Sequence, residues 1–203
     1  MNLNRQRLQH PELCDTKLIV KDGEVSAHTF VLSFCSEYFK ILFLNINDYI
    51  ENKTNTVNFA DRIDGKTMNT ILEFFYTGTL RAEIDIEMIF QLILWSNYLL
   101  SDTLFQEVTK YLRHKLNIEN VSKILAFCND INNYNLRKMV MQFIMKNFKR
   151  MVKLGFIQFL EWDDFFDIIK KQKQKYYVKT IVQSPLNESI STTILTAINN
   201  WWI

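Results

Sequence analysis

The side chains able to do chemistry in this 203-residue sequence are few and scattered. Its three histidines, His10, His28 and His114, form no HExxH pair and share no Cys-His spacing of the kind that sets four ligands around zinc. Cys14, Cys35 and Cys128 lack a CxxC arrangement and are odd in number, which fits neither a paired-thiol metal site nor a secreted disulfide scaffold and points to a reducing compartment. Cys35 falls between Phe34 and Tyr38 on the apolar side of an expected helix, where a free thiol packs as a small hydrophobe; a nucleophile needs a nearby cation or a helix N-terminus. Asp163-Asp164 is the tight carboxylate pair of the chain, a pattern able to divide general-acid and general-base roles. Followed by Phe165-Phe166 and Ile168-Ile169, it reads better as the first turn of a helix, where carboxylates meet free N–H groups. Gly23, Gly65, Gly78 and Gly155 are isolated, so no phosphate-cradling loop is present. No metal, cofactor or small-molecule substrate has a visible seat, and no nucleophile, base and oxyanion donor assemble into an enzyme site.

Basic charge does gather. Between Arg137 and Lys175 ten Lys/Arg stand against four Asp/Glu. Spread over several helices and without aromatic interleaving for base stacking, this reads as a solvated face and not as a nucleic-acid footprint. Over the whole chain 24 Lys+Arg against 22 Asp+Glu, 48% hydrophobic and 23% charged residues describe an ordinary folded globular protein. The N-terminal stretch has no apolar core and no run of about 18 uncharged apolar residues follows, so neither a signal peptide nor a membrane span is expected and the cytoplasm, or the nucleus, is the expected location. Four Gly and two Pro are far fewer than the roughly 12% of average usage, which disfavours turn-rich all-β folds.

The elements that must position these residues follow from local pattern. TKLIVKDGEVSA, Thr16 to Ala27, predicts a β-hairpin turning at Asp22-Gly23, a dipeptide suited to positive φ. Ser36 is placed to cap a helix whose buried stripe is Phe39, Leu42 and Phe43. An Asn-rich loop precedes a strand from Thr56 to Phe59. Asp64 caps a helix bearing Met68, Ile71, Leu72, Phe75 and Tyr76, and Gly78 stops it in the left-handed conformation, with a brief strand from Thr79 to Arg81 to follow. Beyond that the pattern is helical over roughly 86–99, 102–116, 119–130, 135–149 and 163–173, with Asp102, Asn120 and Asp163 as caps. Strands confined to the first third divide the chain into residues 1–117, with mixed structure, and an all-α remainder, 118–203.

Cys14-Asp15 before the hairpin, Ala27-His28, LSFCSEYFKILF from Leu32 to Phe43, the Val57 strand and ILEFFYTGTL from Ile71 to Leu80 occur in a fixed order and register. In these positions, across residues 13–116, the chain resembles the BTB/POZ domain. The downstream helices are similar to the BACK domain of kelch-like proteins: Asn120-Val121 opens it, Ile124 to Cys128 occupy its first helix, and Phe143-Ile144 with Asn147-Phe148 match its FI-x-x-x-F region. Trp201 falls where a BACK helix ends. The resemblance therefore implies an α+β fold, a BTB/POZ domain of small sheet and helices, followed by an all-α partial BACK array without kelch repeats. The Ile-, Asn- and Lys-rich composition in this layout points to a viral, poxvirus-like member.

In that family BTB domains form homodimers, and those of kelch-like proteins recruit the cullin-3 scaffold of a ubiquitin ligase. The resemblance implies a non-catalytic adaptor or competitor at cullin-3; the alternative is a self-associating scaffold or transcriptional or assembly protein without cullin contact. The family's apolar-x-Glu element in the loop after the YF helix falls on Tyr49-Ile50-Glu51, an aromatic anchor and a register-fixing charge. Residues from Ile118 to Ile124 are expected to line the same groove. Dimer contacts are implied at Leu3, Leu8, Leu13 and Asp15. Thr29 stands where many members carry Lys or Arg opposite this aspartate, so a backbone N–H is the substitute partner for Asp15. His28 reads as a satisfied core residue. Near the C-terminus Ile190, Ile194, Leu195, Ile198, Trp201 and Trp202 draw one apolar helical stripe, which either folds back near residues 159–169 or meets a partner.

Overall fold

Strands β1 (Thr16–Val20) and β2 (Gly23–Ala27) form the expected antiparallel hairpin, paired from Thr16↔Ala27 to Val20↔Gly23. The turn itself is Lys21-Asp22, and of the Asp22-Gly23 pair only Gly23 takes a positive φ, 148°. Asp22 is used differently: its carboxylate accepts a 2.6 Å hydrogen bond from the N–H of Gly65, tying the turn to a helix 43 residues away. This computed structural model describes residues 3–44, 55–80, 83–155, 158 and 160–172. It contains two compact units, Met1–Lys115 and Leu116–Ile203.

In the first unit, α1 (Leu3–Gln9) and a single 3-10 turn (Pro11–Leu13) lead into the hairpin, and α2 (Thr29–Cys35) and α3 (Glu37–Leu44) follow it. Strand β3 (Thr56–Asn58) then pairs with β1 in parallel, Leu18 opposite Val57, giving the order β2-β1-β3. Parallel pairing requires a crossover, and α2 and α3 lie on that path. Next come α4 (Gly65–Thr77), α5 (Ile86–Tyr98) and α6 (Asp102–Lys115). The caps of α4 are as expected: Asp64 accepts from Thr67 N–H, and Gly78, at φ 71°, closes the end by donating to Phe74 C=O. Thr79 and Leu80 are not in a strand, contrary to the expectation from their sequence.

Two reciprocal serines lock the helices together. Ser36 accepts from Phe39 N–H, as a cap should, and also donates to Leu99 C=O at 2.6 Å, while Ser101 donates to Cys35 C=O at 2.7 Å. The α2–α3 joint and the α5–α6 joint are thus bonded to each other. Ser101, and not Asp102, is the residue before α6, so Asp102 sits in the first turn. The core is built around Phe59, whose ring meets Phe39, Trp95 and Tyr98 edge-on at 5.7–6.3 Å, the favoured geometry for aromatic quadrupoles. Leu18, Leu32, Met68, Ile71, Leu72, Ile89, Leu92 and Ile93 are fully buried with it.

The second unit holds α7 (Val121–Asp130), α8 (Tyr134–Lys153) and α9 (Trp162–Gln172). A short turn with Asn132 at φ 52° joins α7 to α8, and Asn133 caps α8 by accepting from Leu136 N–H. Asn120 occupies the N-cap position of α7 but spends its side chain on Asn117 N–H, so no side-chain cap bond forms. Asp163 lies within the first turn of α9, two residues beyond the N-cap position, which Glu161 occupies. Among the described residues strands occur only in the first unit.

Candidate protein-interaction surface

The junction between β1 and α2 places the first candidate face. Asp15 accepts a 2.7 Å hydrogen bond from Thr29 N–H, the backbone substitute its sequence context calls for, and the Thr16 and Thr29 hydroxyls bond beside it. Asp15 therefore holds the first turn of α2 against the start of the sheet. From this junction depart Leu13, 66% exposed, and Phe30, 78% exposed. Phe34, one turn further along α2, is 83% exposed and stacks on Phe30 at 6.3 Å, with the rings 21° from parallel. Leu3 and Leu8 are also exposed. Phe30 and Phe34 were not singled out in the sequence, where they merge into an apolar run. The usable signal is their i,i+4 spacing off the buried stripe of Val31 and Leu32.

Behind that face α1 and α4 are joined by a buried guanidinium. Arg7, 3% exposed, donates to Asn4 Oδ1, Asn69 Oδ1 and Ser26 C=O and lies over the Tyr76 ring at 5.5 Å. Its partners in these bonds are neutral oxygens, and burial lowers its pKa. The Tyr76 hydroxyl accepts from His28 N–H at 2.8 Å and bonds His28 Nδ1 at 2.6 Å, so His28 is satisfied inside the fold. Burial, opposed by the His28 bond and by Arg7, pushes the Tyr76 phenol up to about 12. A cavity of about 250 Å³ beside Arg7 is walled by Lys66, Glu73, Glu83 and Asp85 among others, a mixed set with no dominant charge.

The second face belongs to α3 and α5. Glu37 and Tyr38 N–H groups donate to the carbonyls of Leu100 and Leu99, fixing the start of α3 against the end of α5. The Tyr38 and Tyr98 rings are 5.4 Å apart, and the Arg62 guanidinium covers Tyr98 at 5.5 Å. Ile41 and Leu44 on α3 and Leu94 and Tyr98 on α5 are exposed. Leu44 is the last residue before the segment carrying Tyr49, Ile50 and Glu51. Those three residues lie outside the described residues, as do Ile194, Ile198, Trp201 and Trp202.

In the helical unit Ile118 is half-buried and borders a cavity of about 330 Å³ with Phe143, Asn147 and Arg150. Ile124 is not available to a groove: it is fully buried, because it lies on the same face of α7 as Val121, Leu125 and Cys128. Asp164 is buried and forms an ion pair with Arg137 through two contacts of 2.6 and 2.7 Å, while Arg137 also donates to Asn129. That geometry makes Asp163-Asp164 a structural pair: one first-turn carboxylate and one bridge between helices. Thiol chemistry is disfavoured by environment. Burial pushes Cys35 up, where its Sγ donates to Phe75 C=O, and Cys128 to about 11. No cluster of three His, Cys, Asp or Glu able to hold a metal occurs among the described residues. No helix among them is long and apolar enough to cross a membrane.

Among the described residues the first unit is a small mixed sheet flanked by helices, with apolar side chains exposed on two faces. Residues 3–116 match the BTB/POZ domain family, and the chain belongs to it. Kelch-like protein 28 of Mus musculus is 27% identical over 201 residues, 99% of this chain and 32% of that protein. Kelch repeat and BTB domain-containing protein 1 of cowpox virus is 23% identical over 156 residues, 77% of this chain and 27% of that protein. The chain thus spans about a third or less of the length of these curated relatives. Among solved structures, the BTB domain of zebrafish PATZ1 is 26% identical and aligns with 56% of this chain and 86% of that one at a TM-score of 0.46.

Proposed function

We propose that this protein is a non-catalytic adaptor or competitor that binds a cullin-3-type scaffold through the α3–α5 face and the loop after α3. The observation that carries this reading is the exposed apolar set Ile41, Leu44, Leu94 and Tyr98, held in place by the α3–α5 hydrogen bonds and adjoining the segment with Tyr49-Ile50-Glu51. Apolar anchors ringed by a few charges are the composition of a binding hot spot. The helical unit fits a BACK-type array, and the alignment with mouse Kelch-like protein 28 runs through it. Such a protein works in the cytoplasm or nucleus, with ubiquitin transfer performed by the ligase and not by this chain. The cowpox virus relative supports a viral membership of the family. Calorimetric titration into the N-terminal region of cullin-3 is the test. Micromolar or tighter binding is expected, weakened about thirtyfold, or about 2 kcal/mol, by either Glu51→Lys or Tyr49→Ala. Absence of heat with the unaltered protein removes the cullin role.

A self-associating scaffold is the second reading, favoured by Phe30 and Phe34. Two stacked aromatic rings with about four-fifths of their surface in water are the pattern of an interface and not of a helix exterior. The homodimer face then comprises Leu3, Leu8, Leu13, Phe30 and Phe34, with Asp15 fixing α2 behind it. Light scattering checks this: Phe30→Ser with Phe34→Ser is expected to weaken self-association at least tenfold while leaving the thermal midpoint in place. A protein that is monomeric at high concentration before mutation defeats the reading.

A further inference from the structure

Four described helices end through a residue in the left-handed conformation, and three of them use a residue suited to it: Gly78 after α4, Asn132 after α7 and Gly155 after α8, at φ 71°, 52° and 74°. Helix α5 ends through Leu100, at φ 51°. In this conformation an L-residue crowds its Cβ against the following carbonyl oxygen. Glycine has no Cβ, and asparagine offsets the clash by hydrogen bonding locally. Leucine has neither remedy.

The end of α5 is otherwise built like that of α7. Leu100 N–H donates to Asn97 C=O at 3.2 Å and Ser101 N–H to Ser96 C=O at 2.9 Å, the same paired bonds that Asn132 and Asn133 make to Asn129 and Cys128. These are backbone bonds that call for a left-handed residue and are met best by glycine or asparagine. The conformation is also held from outside: Leu99 C=O accepts from the Ser36 hydroxyl, Leu100 C=O from Glu37 N–H, and Cys35 C=O from the Ser101 hydroxyl. None of these bonds involves the Leu100 side chain. Core packing does not call for it either, since its neighbour Leu99 is fully buried whereas Leu100 is 55% exposed. The fold thus keeps a large apolar side chain in a disfavoured backbone conformation with more than half of its surface in water. It does so at the end of the helix that carries Leu94 and Tyr98, with the Leu100 carbonyl on the start of the helix that carries Ile41 and Leu44. Strain that neither the backbone bonds nor the core accounts for collects at binding sites, where it presets a side chain for a partner.

We propose that Leu100 is an anchor residue of the α3–α5 face, set in the open to enter an apolar pocket on the partner. This rests on the reading of that face as the surface for a cullin-3-type scaffold. It adds an anchor that is fixed by the core of the first unit and is independent of the loop after α3. The bonds on both sides of Leu100 set the direction of its Cα–Cβ bond before the partner arrives, so binding has less chain left to order.

The test uses the full chain, with calorimetric titration into the N-terminal region of cullin-3 and thermal unfolding of the same samples. Leu100→Gly and Leu100→Asn relieve the backbone and remove the anchor, while Leu100→Met keeps an apolar side chain of similar size. Binding is expected to weaken at least about tenfold in the first two and to stay within about threefold in the third. The thermal midpoint of Leu100→Gly and Leu100→Asn is expected to rise, or to stay within about 4 °C of the unaltered protein. A smaller loss of binding in these two overturns the proposal, as does a loss in Leu100→Met equal to that in Leu100→Gly. If Glu51→Lys still weakens binding in that case, the cullin reading stands without this anchor. A midpoint that falls further in both variants also overturns it, because the leucine is then a packing residue. Loss of self-association in Leu100→Gly with cullin binding intact assigns the side chain to a second copy of the chain and overturns it too. If the unaltered protein gives no heat, the cullin reading fails and the anchor with it.

Discussion

In the first unit the polar groups that matter are side chains bonding to distant backbone: Asp22 to Gly65, Asp15 to Thr29, Ser36 to Leu99, Ser101 to Cys35. Among the described residues of the helical unit a central side-chain link is an ion pair, Arg137 to Asp164, with Asn129 on the same guanidinium. The difference is one of topology. A sheet with a parallel crossover leaves strand and helix ends facing one another, each with unmet N–H or C=O groups, and short polar side chains meet them. Neighbouring helices satisfy their own backbones and need only apolar faces plus an occasional link between long side chains.

The largest effect expected from disturbing this contrast is in the first unit's apolar centre. Phe39→Ala removes a fully buried ring in contact with Phe59 and Phe43, and urea unfolding should register a loss of about 3–5 kcal/mol. Next, Arg137→Ala strips Asp164 of its cation in a buried position. A loss of about 2 kcal/mol is expected, tempered by the partial exposure of Arg137, together with faster proteolysis near α9. A result near zero would mean that apolar packing of Phe148 against Phe165 suffices to hold α9. The smallest effect is a pH dependence confined to the first unit. Because the folded Tyr76 phenol is pushed above its usual 10 to about 12, the fold prefers the neutral form. Its contribution is complete below about pH 10 and declines as pH rises toward about 12. Ultraviolet titration should find Tyr76 ionising late among the eight tyrosines, and Tyr76→Phe should remove that part of the alkaline slope.

What was readable in the sequence was local. Asp64 and Gly78 bracket α4 because a cap acts within one turn and a left-handed glycine within one residue. The hairpin and the Ser36 cap are of the same kind. What escaped depends on residues far apart in the chain. Nothing near Arg7 announces that a cation will be buried among neutral oxygens from Asn69 and Ser26. The parallel pairing of β3 with β1 is invisible in a three-residue strand. Asp102, Asn120 and Asp163 are acids or amides at helix starts, yet none makes the cap bond, because Ser101 precedes Asp102, Asn117 claims Asn120, and Asp163 falls inside the helix. Apolar periodicity could not separate Ile124, which is buried, from Phe30 and Phe34, which are not. Which face of an amphipathic helix meets its neighbour is decided by the neighbour.

The crossover between β2 and β3 has a further consequence. Leu44 ends a helix secured at its start by Ser36, and on the other side Asn55 C=O accepts from Lys17 N–H before β3 begins. Leu44 and Asn55 are thus both tied to the core of the first unit. Closing a longer loop between fixed ends costs only about 0.6 kcal/mol per doubling of its length. A change in the number of residues between these two fixed ends is therefore expected to cost the fold little.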